Sequence, residues 1–220
     1  MPTKLTNPKL ESLKNVTIYI AYLLVVWGCY RFLFKFPDEI EELVIKPVFW
    51  LIPIVYFLKK ERVGLTSLGI TLKKLFPAIY LSIGLGVLFV AESVLINYLK
   101  YKGFNFAANI GDKAFLVSLG LSLATAVSEE IAFRGYIFSR IWKALGGEWS
   151  ANAVTTVLWI LIHVPITIFI LKLGFGASVS YLFLTGIFGM GSAFIFAKTG
   201  NIVSSILLHI LWEWPIILFR

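Results

Sequence analysis

The chain reads as an all-α polytopic membrane helix bundle with about seven transmembrane helices. Three observations predict this. Of its 220 residues, 59% are hydrophobic and only 15% are charged, whereas a soluble domain carries about 25% charged residues. Its apolar runs are long enough, at about 20 residues each, to cross a hydrocarbon layer about 30 Å thick. Its lysines and arginines gather at the ends of those runs, as residues flanking a membrane do. Net charge is +8, but this scatter of basic residues argues against nucleic acid as a partner.

The runs follow in order. Residues 16–34 come after a basic stretch (Lys4, Lys9, Lys14). Tyr30, Arg31 and Phe32 close the run where a signal peptide would place small residues for cleavage, so it is a retained span. Residues 40–58 form the weakest run, interrupted by Lys46, Pro47 and Pro53, and fit either a span or a re-entrant or interfacial segment. Residues 76–99 and a long run over 115–145 follow, then 151–171, 178–197 and 202–219. Residues 63–75 mix leucine and isoleucine with Lys73 and Lys74, a composition suited to the interface.

No repeat, low-complexity tract or linker divides the chain, which reads as one integral-membrane domain over 1–220 with its motif-bearing core at about 115–219. Seven spans put eleven Lys and Arg on the N-terminal side and eight on the other, beside the acidic cluster Asp38, Glu39, Glu41 and Glu42. That balance favours a cytoplasmic N-terminus. The single cysteine, Cys29, excludes an internal disulfide.

Both histidines of the chain, His163 and His209, fall inside apolar runs, and a third run holds Glu129, Glu130 and Arg134. Charged groups in hydrocarbon cost roughly 2.5–3.5 kcal/mol each, so they face a protein interior and pair there. In Glu129-Glu130-Ile131-Ala132-Phe133-Arg134, Glu130 and Arg134 are an i, i+4 pair, while Glu129 points about a quarter-turn away. A Glu130–Arg134 bridge that only pins the helix explains that pair but leaves Glu129 unexplained. Trp159 precedes His163 by one turn, and a packing histidine bonded to a carbonyl freed by Pro165 is the plain alternative there. His209 and Glu213 share a face, which also fits a simple hydrogen bond between two buried groups. Glu92, the fourth intramembrane glutamate, reads as packing or cavity lining.

Together these groups could run peptide hydrolysis, which needs a base for water, a stabiliser for the tetrahedral oxyanion and an acid for the leaving amine. The low dielectric strengthens each such contact. No cofactor is required by this set. A divalent metal such as zinc is compatible with Glu129, His163, His209 and Glu213, although the HExxH spacing of zinc proteases is absent. The two aspartates, Asp38 and Asp112, read as loop residues, which speaks against an aspartyl dyad. Gly189-Met190-Gly191-Ser192 does not match GxSxG, and Gly186, Gly189 and Gly191 read as helix-packing positions.

EExxxR on one helix, Trp159-x-x-x-His163 on the next and His209-x-x-x-Glu213 on the last resemble the CAAX protease and bacteriocin-processing (CPBP, or Abi) family of intramembrane proteases, to which the Ras-converting CAAX endopeptidase belongs. The resemblance covers about 124–213, and Ser67-Leu68-Gly69-Ile70 is similar to the family's preceding loop. It implies an intramembrane endopeptidase that hydrolyses a peptide bond in a membrane-associated, prenylated or small peptide substrate with a glutamate-activated water. In that reading Glu129 activates the water with His163 assisting, Glu130 and Arg134 are the neighbouring acid and its arginine, and His209 with Glu213 stabilises the oxyanion. The implied partners are membrane lipids and a peptide or lipidated protein.

Two positions depart from the family's pattern. Trp159 stands where phenylalanine is usual, and Glu213 where asparagine or aspartate is. An amide donates to an oxyanion and an ionised carboxylate does not. Glu213 would therefore be protonated, orient His209 or bind a metal. The alternative function is a non-proteolytic scaffold or bacteriocin-immunity protein of the same fold. A proton-coupled transporter is a third, but the two halves show no pseudo-repeat.

Overall fold

The computed structural model describes residues 8–107 and 114–218. Lys4, Asp112, Lys113, Phe219 and Arg220 fall outside them. The described residues form a helical bundle with no strand. We label its helices α1 (Pro8–Leu33), α2 (residues 38–61), α3 (Leu75–Tyr101), α4 (Phe115–Leu145), α5 (Glu148–Ile170), α6 (Phe175–Thr199) and α7 (Ile202–Leu218). Five of them, α1 and α3 to α6, are long and apolar enough to cross a membrane; α7 is a shorter apolar helix.

Helix α2 differs from the broken segment that its composition suggests. It runs without interruption through Asp38–Ile40, a π-helical turn at Glu41–Ile45 and Lys46–Glu61. The wide turn places a change of register just before Pro47, which offers no N–H to the ladder. Asp38 accordingly begins a helix rather than lying in a loop. Lys46 is not a membrane-flanking charge: it is 2% exposed inside the bundle.

Aromatic side chains fill the centre. The Tyr19 hydroxyl donates to the Trp50 carbonyl at 2.9 Å and ties α1 to α2. Phe133 of α4 meets Trp159 of α5 edge-on, with ring centroids 4.8 Å apart. Three glycines of α6 sit close against neighbouring helices. A Cβ at Gly189 would lie 2.8 Å from Trp159 Cδ1, and one at Gly186 would lie 2.9 Å from Ile160 Cδ1. Gly191 faces Leu85 of α3 in the same way, at 3.2 Å. With lipid outside, such close backbone approach supplies the packing that water would otherwise drive. Ser82 of α3 donates to the Ser204 carbonyl of α7 at 2.7 Å. The outer face of α3, with Tyr80, Val87, Leu88, Leu95 and Leu99, is exposed and apolar.

Between α2 and α3 the chain makes a 3₁₀ turn at Leu65–Leu68 and further turns rather than a helix. Leu68 packs on Gly135, where a Cβ would lie 3.0 Å from the Leu68 carbonyl oxygen. Asn201 Nδ2 donates to the carbonyls of Thr71 and Lys73 at 2.8 and 2.9 Å. The loop is thus bound to the start of α7, and α4 is tied to it by Arg140, which donates through Nη1 to the Ser67 carbonyl at 3.1 Å and through Nε and Nη2 to Glu61 Oε2 at 3.1 and 3.0 Å.

Candidate active site

Helix α4 turns small and polar residues inward, with Ser118, Ser122, Thr125, Ser128, Glu129 and Glu130 all buried. A π-helical stretch, Ile131–Phe138, begins directly after the two glutamates. Such widened turns recur at functional sites because they re-aim side chains without ending the helix. Adjacent residues on a helix point about 100° apart, and the two carboxylates enter different environments.

Glu130 is fully buried and surrounded by donors. Its Oε1 accepts from Arg134 Nη1 at 3.1 Å and from His209 Nδ1 at 2.8 Å, and its Oε2 from Ser192 Oγ at 2.7 Å. Arg134 also donates through Nη2 to the Gly189 carbonyl at 3.0 Å, and its guanidinium lies 4.5 Å from the Trp159 ring. One carboxylate therefore binds α4, α6 and α7 together and orients the imidazole of His209. Arg134 lies behind it as the compensating charge.

Glu129 instead faces a cavity of about 390 Å³. Its Oε1 accepts from Lys46 Nζ at 2.8 Å. Its Oε2 lies 3.9 Å from His209 Nε2, too far for a direct bond and suited to a shared water. His163 lines the same cavity. Its Nδ1–H donates to the Trp159 carbonyl at 2.7 Å, which leaves Nε2 as an acceptor. The Trp159 ring packs against both imidazoles, with centroids 4.4 Å from His163 and 5.9 Å from His209. Apolar side chains, among them Leu121, Ile162, Ile166 and Ile216, complete the walls.

The structure thus brings Glu129, His163, His209 and Glu213 to one cavity, while Glu130, Arg134 and Trp159 stand behind its wall. Three expectations change. His209 donates its Nδ1 hydrogen bond to Glu130 and not to Glu213, because Glu130 reaches it across the bundle from α4. Glu213 Oε2 is buried with no hydrogen-bond partner among the described residues. The partner of His163 is the Trp159 carbonyl one turn earlier, not the Leu161 carbonyl that Pro165 leaves without its donor.

Sequence reasoning missed the contribution of α2. Lys46, Glu41 and Glu42, assigned to a flank and to an outside cluster, line the cavity. Lys46 Nζ lies 2.5 Å from Glu42 Oε2, and Thr125 Oγ1 donates to that oxygen at 2.6 Å. Arg31 pairs with Glu41, whose other oxygen accepts from Tyr30 at 3.0 Å. The i, i+4 spacing of Glu42 and Lys46 was the available signal.

A bound zinc ion takes four ligands at about 2.0–2.3 Å. Among the described residues no three His, Cys, Asp or Glu side chains are gathered as ligands. One oxygen of Glu129 is already occupied by an ammonium, whereas His209 bonds Glu130 through Nδ1 and turns Nε2 toward Glu129 Oε2.

Residues 111–215 match the family model described as type II CAAX prenyl endopeptidase Rce1-like. No curated protein matches the chain. The matched stretch holds Glu129, Glu130, Arg134, both histidines and Glu213, and it joins helices that are long and apolar enough to span a bilayer. Through that stretch the chain, an integral membrane protein, is similar to the CAAX protease and bacteriocin-processing family.

Proposed function

We propose that the chain is an intramembrane endopeptidase that hydrolyses a peptide bond of a membrane-associated peptide with water activated by Glu129. The observation that carries this reading is the gap between Glu129 Oε2 and His209 Nε2, 3.9 Å wide and opening on the cavity. Lys46 is bound to the other oxygen of Glu129, which leaves Oε2 on the side of His209.

In this mechanism Glu129 Oε2 takes a proton from the water, and the hydroxide oxygen bonds to the scissile carbonyl carbon. His163 Nε2, an acceptor because Nδ1–H is committed to Trp159, helps hold the water in line. The carbonyl oxygen becomes an oxyanion and accepts from Nε2–H of a His209 imidazolium. The Glu130 carboxylate complements that charge from the far side of the ring, as an acid behind a catalytic histidine does. The oxyanion re-forms the carbonyl as the C–N bond breaks, the proton held by Glu129 passes to the leaving nitrogen, and the carboxylic acid formed then gives its proton to the amine, leaving a carboxylate and an ammonium. Protein dipoles and charges fixed in a site of low dielectric carry most of such stabilisation.

The apolar walls suit a substrate that approaches from the lipid, a prenylated peptide among them. Because α2 supplies part of the cavity, the whole membrane domain is needed and not the matched stretch alone. The N-terminus is placed in the cytoplasm on the Lys/Arg balance. One observation favours a second reading, a non-proteolytic scaffold or immunity protein: Glu213 stands with an unpartnered oxygen where the family has an amide. Purified full-length protein in detergent separates the two. Cleavage of a farnesylated peptide with a free C-terminal carboxyl, by protein without bound metal, supports the protease. No cleavage by folded protein supports the scaffold, and cleavage abolished by a chelator and restored by zinc overturns the metal-independent mechanism.

A further inference from the structure

The mechanism above leaves Lys46, a buried charge at the cavity, without a role. Lys46 lies on α2, outside the stretch matched by the family model. Its side chain is 3% exposed, yet its ammonium bridges Glu129 Oε1 at 2.8 Å and Glu42 Oε2 at 2.5 Å. Glu42 is held in turn by Thr125, one helical turn before Glu129 on α4. The four side chains form a continuous polar bridge between α2 and α4. Apolar side chains of similar volume would join two helices at least as well, because desolvating charges offsets much of their attraction. Packing alone is a poor account of this bridge.

The backbone supplies a second, independent observation. Three π-helical stretches border the cavity residues: Glu41–Ile45 immediately before Lys46, Ile131–Phe138 immediately after Glu130, and Ile166–Ile170 three residues beyond His163. Such turns are rare and concentrate at functional sites. Helix α2 carries the same device as the helices that bear Glu129 and His163.

We propose that Lys46 is a positioning residue for the hydrolytic glutamate. Its ammonium occupies Oε1 of Glu129, fixes the plane of the carboxylate and leaves Oε2 as the only oxygen presented to the water beside His209. Glu42 and Thr125 hold the ammonium in that place. The inference rests on the reading of Glu129 as the base. A misplacement of about 1 Å in a reacting group lowers a rate by about 10²-fold, and the loss falls on kcat because Lys46 acts through Glu129.

The test is steady-state cleavage of a farnesylated peptide by full-length protein in detergent, with melting temperature measured on the same samples. Parent, Lys46→Met, Lys46→Arg and the double variant Glu42→Gln/Lys46→Met are compared. The double variant keeps the parental net charge around Glu129, so it separates the fold's charge balance from an action on Glu129. The expected result is kcat lowered by about 10²-fold in Lys46→Met with KM held, and in the double variant even where its melting temperature returns to the parental value. Lys46→Arg, which restores a cation, recovers part of the rate. Parental kcat in either Met variant overturns the inference, as does equal kcat in the Arg and Met variants. If the parent cleaves and Glu129→Gln does not, a failure there leaves the Glu129 reading standing; a parent that does not cleave removes both.

Discussion

Replacing Arg134 by methionine tests the electrostatic scaffold behind the cavity. Methionine keeps the length and apolar stem of the side chain, so the main change is the loss of the guanidinium. That group donates to Glu130 Oε1 at 3.1 Å and to the Gly189 carbonyl at 3.0 Å, with 2% of the residue exposed. Glu130 has no exposed surface and, among the described residues, keeps only Ser192 and His209 as donors. Removing one partner of a buried pair costs about 3–5 kcal/mol, because the remaining charge is left uncompensated. That is more than a hundredfold in the folding equilibrium, at about 1.4 kcal/mol per factor of ten. The assay is unfolding of the purified protein in mixed micelles, with denaturing detergent titrated in and helicity followed. The double variant Glu130→Gln/Arg134→Met, which removes both charges, recovers much of the loss. Equal midpoints for Arg134→Met and the parent would refute the account of this pair as the charge balance of the bundle.

Two further predictions concern residues around the cavity. Glu213→Asn raises cleavage of a farnesylated peptide, because its amide adds an oxyanion donor while Glu130 still orients His209; a lower rate in Glu213→Asn than in the parent contradicts this. Gly189→Ala lowers stability by about 1–3 kcal/mol, since the added methyl meets Trp159 Cδ1 at 2.8 Å and must push α6 from α5; an unchanged unfolding midpoint shows that the contact relaxes without cost.

The parts of this site that rest on local spacing were legible in the sequence. Glu130 and Arg134 are an i, i+4 pair, and the structure joins them as that spacing implies. The glycines of α6 were legible too, because a residue without a side chain in an apolar helix has few uses besides close packing. Contacts between distant segments were not. Glu213 stands one turn from His209, so local geometry favoured it as the partner, yet Glu130 reaches the imidazole from 79 residues away. Lys46 was hidden for a related reason. Ahead of two prolines in a weak apolar run, a lysine reads as a flank of the membrane, and nothing within its own helix except Glu42 reveals that Glu129 lies 2.8 Å away. The π-helical turns that align these groups have no composition of their own and follow from packing.

The most direct test of the central claim is the Glu129→Gln variant. The amide preserves shape and still accepts from Lys46, which also keeps Glu42, so folding is retained. It cannot take a proton from water. The account predicts parental melting behaviour and cleavage of a farnesylated peptide lowered by at least about 10²-fold, the contribution of a general base. A folded Glu129→Gln protein that cleaves at the parental rate would contradict it.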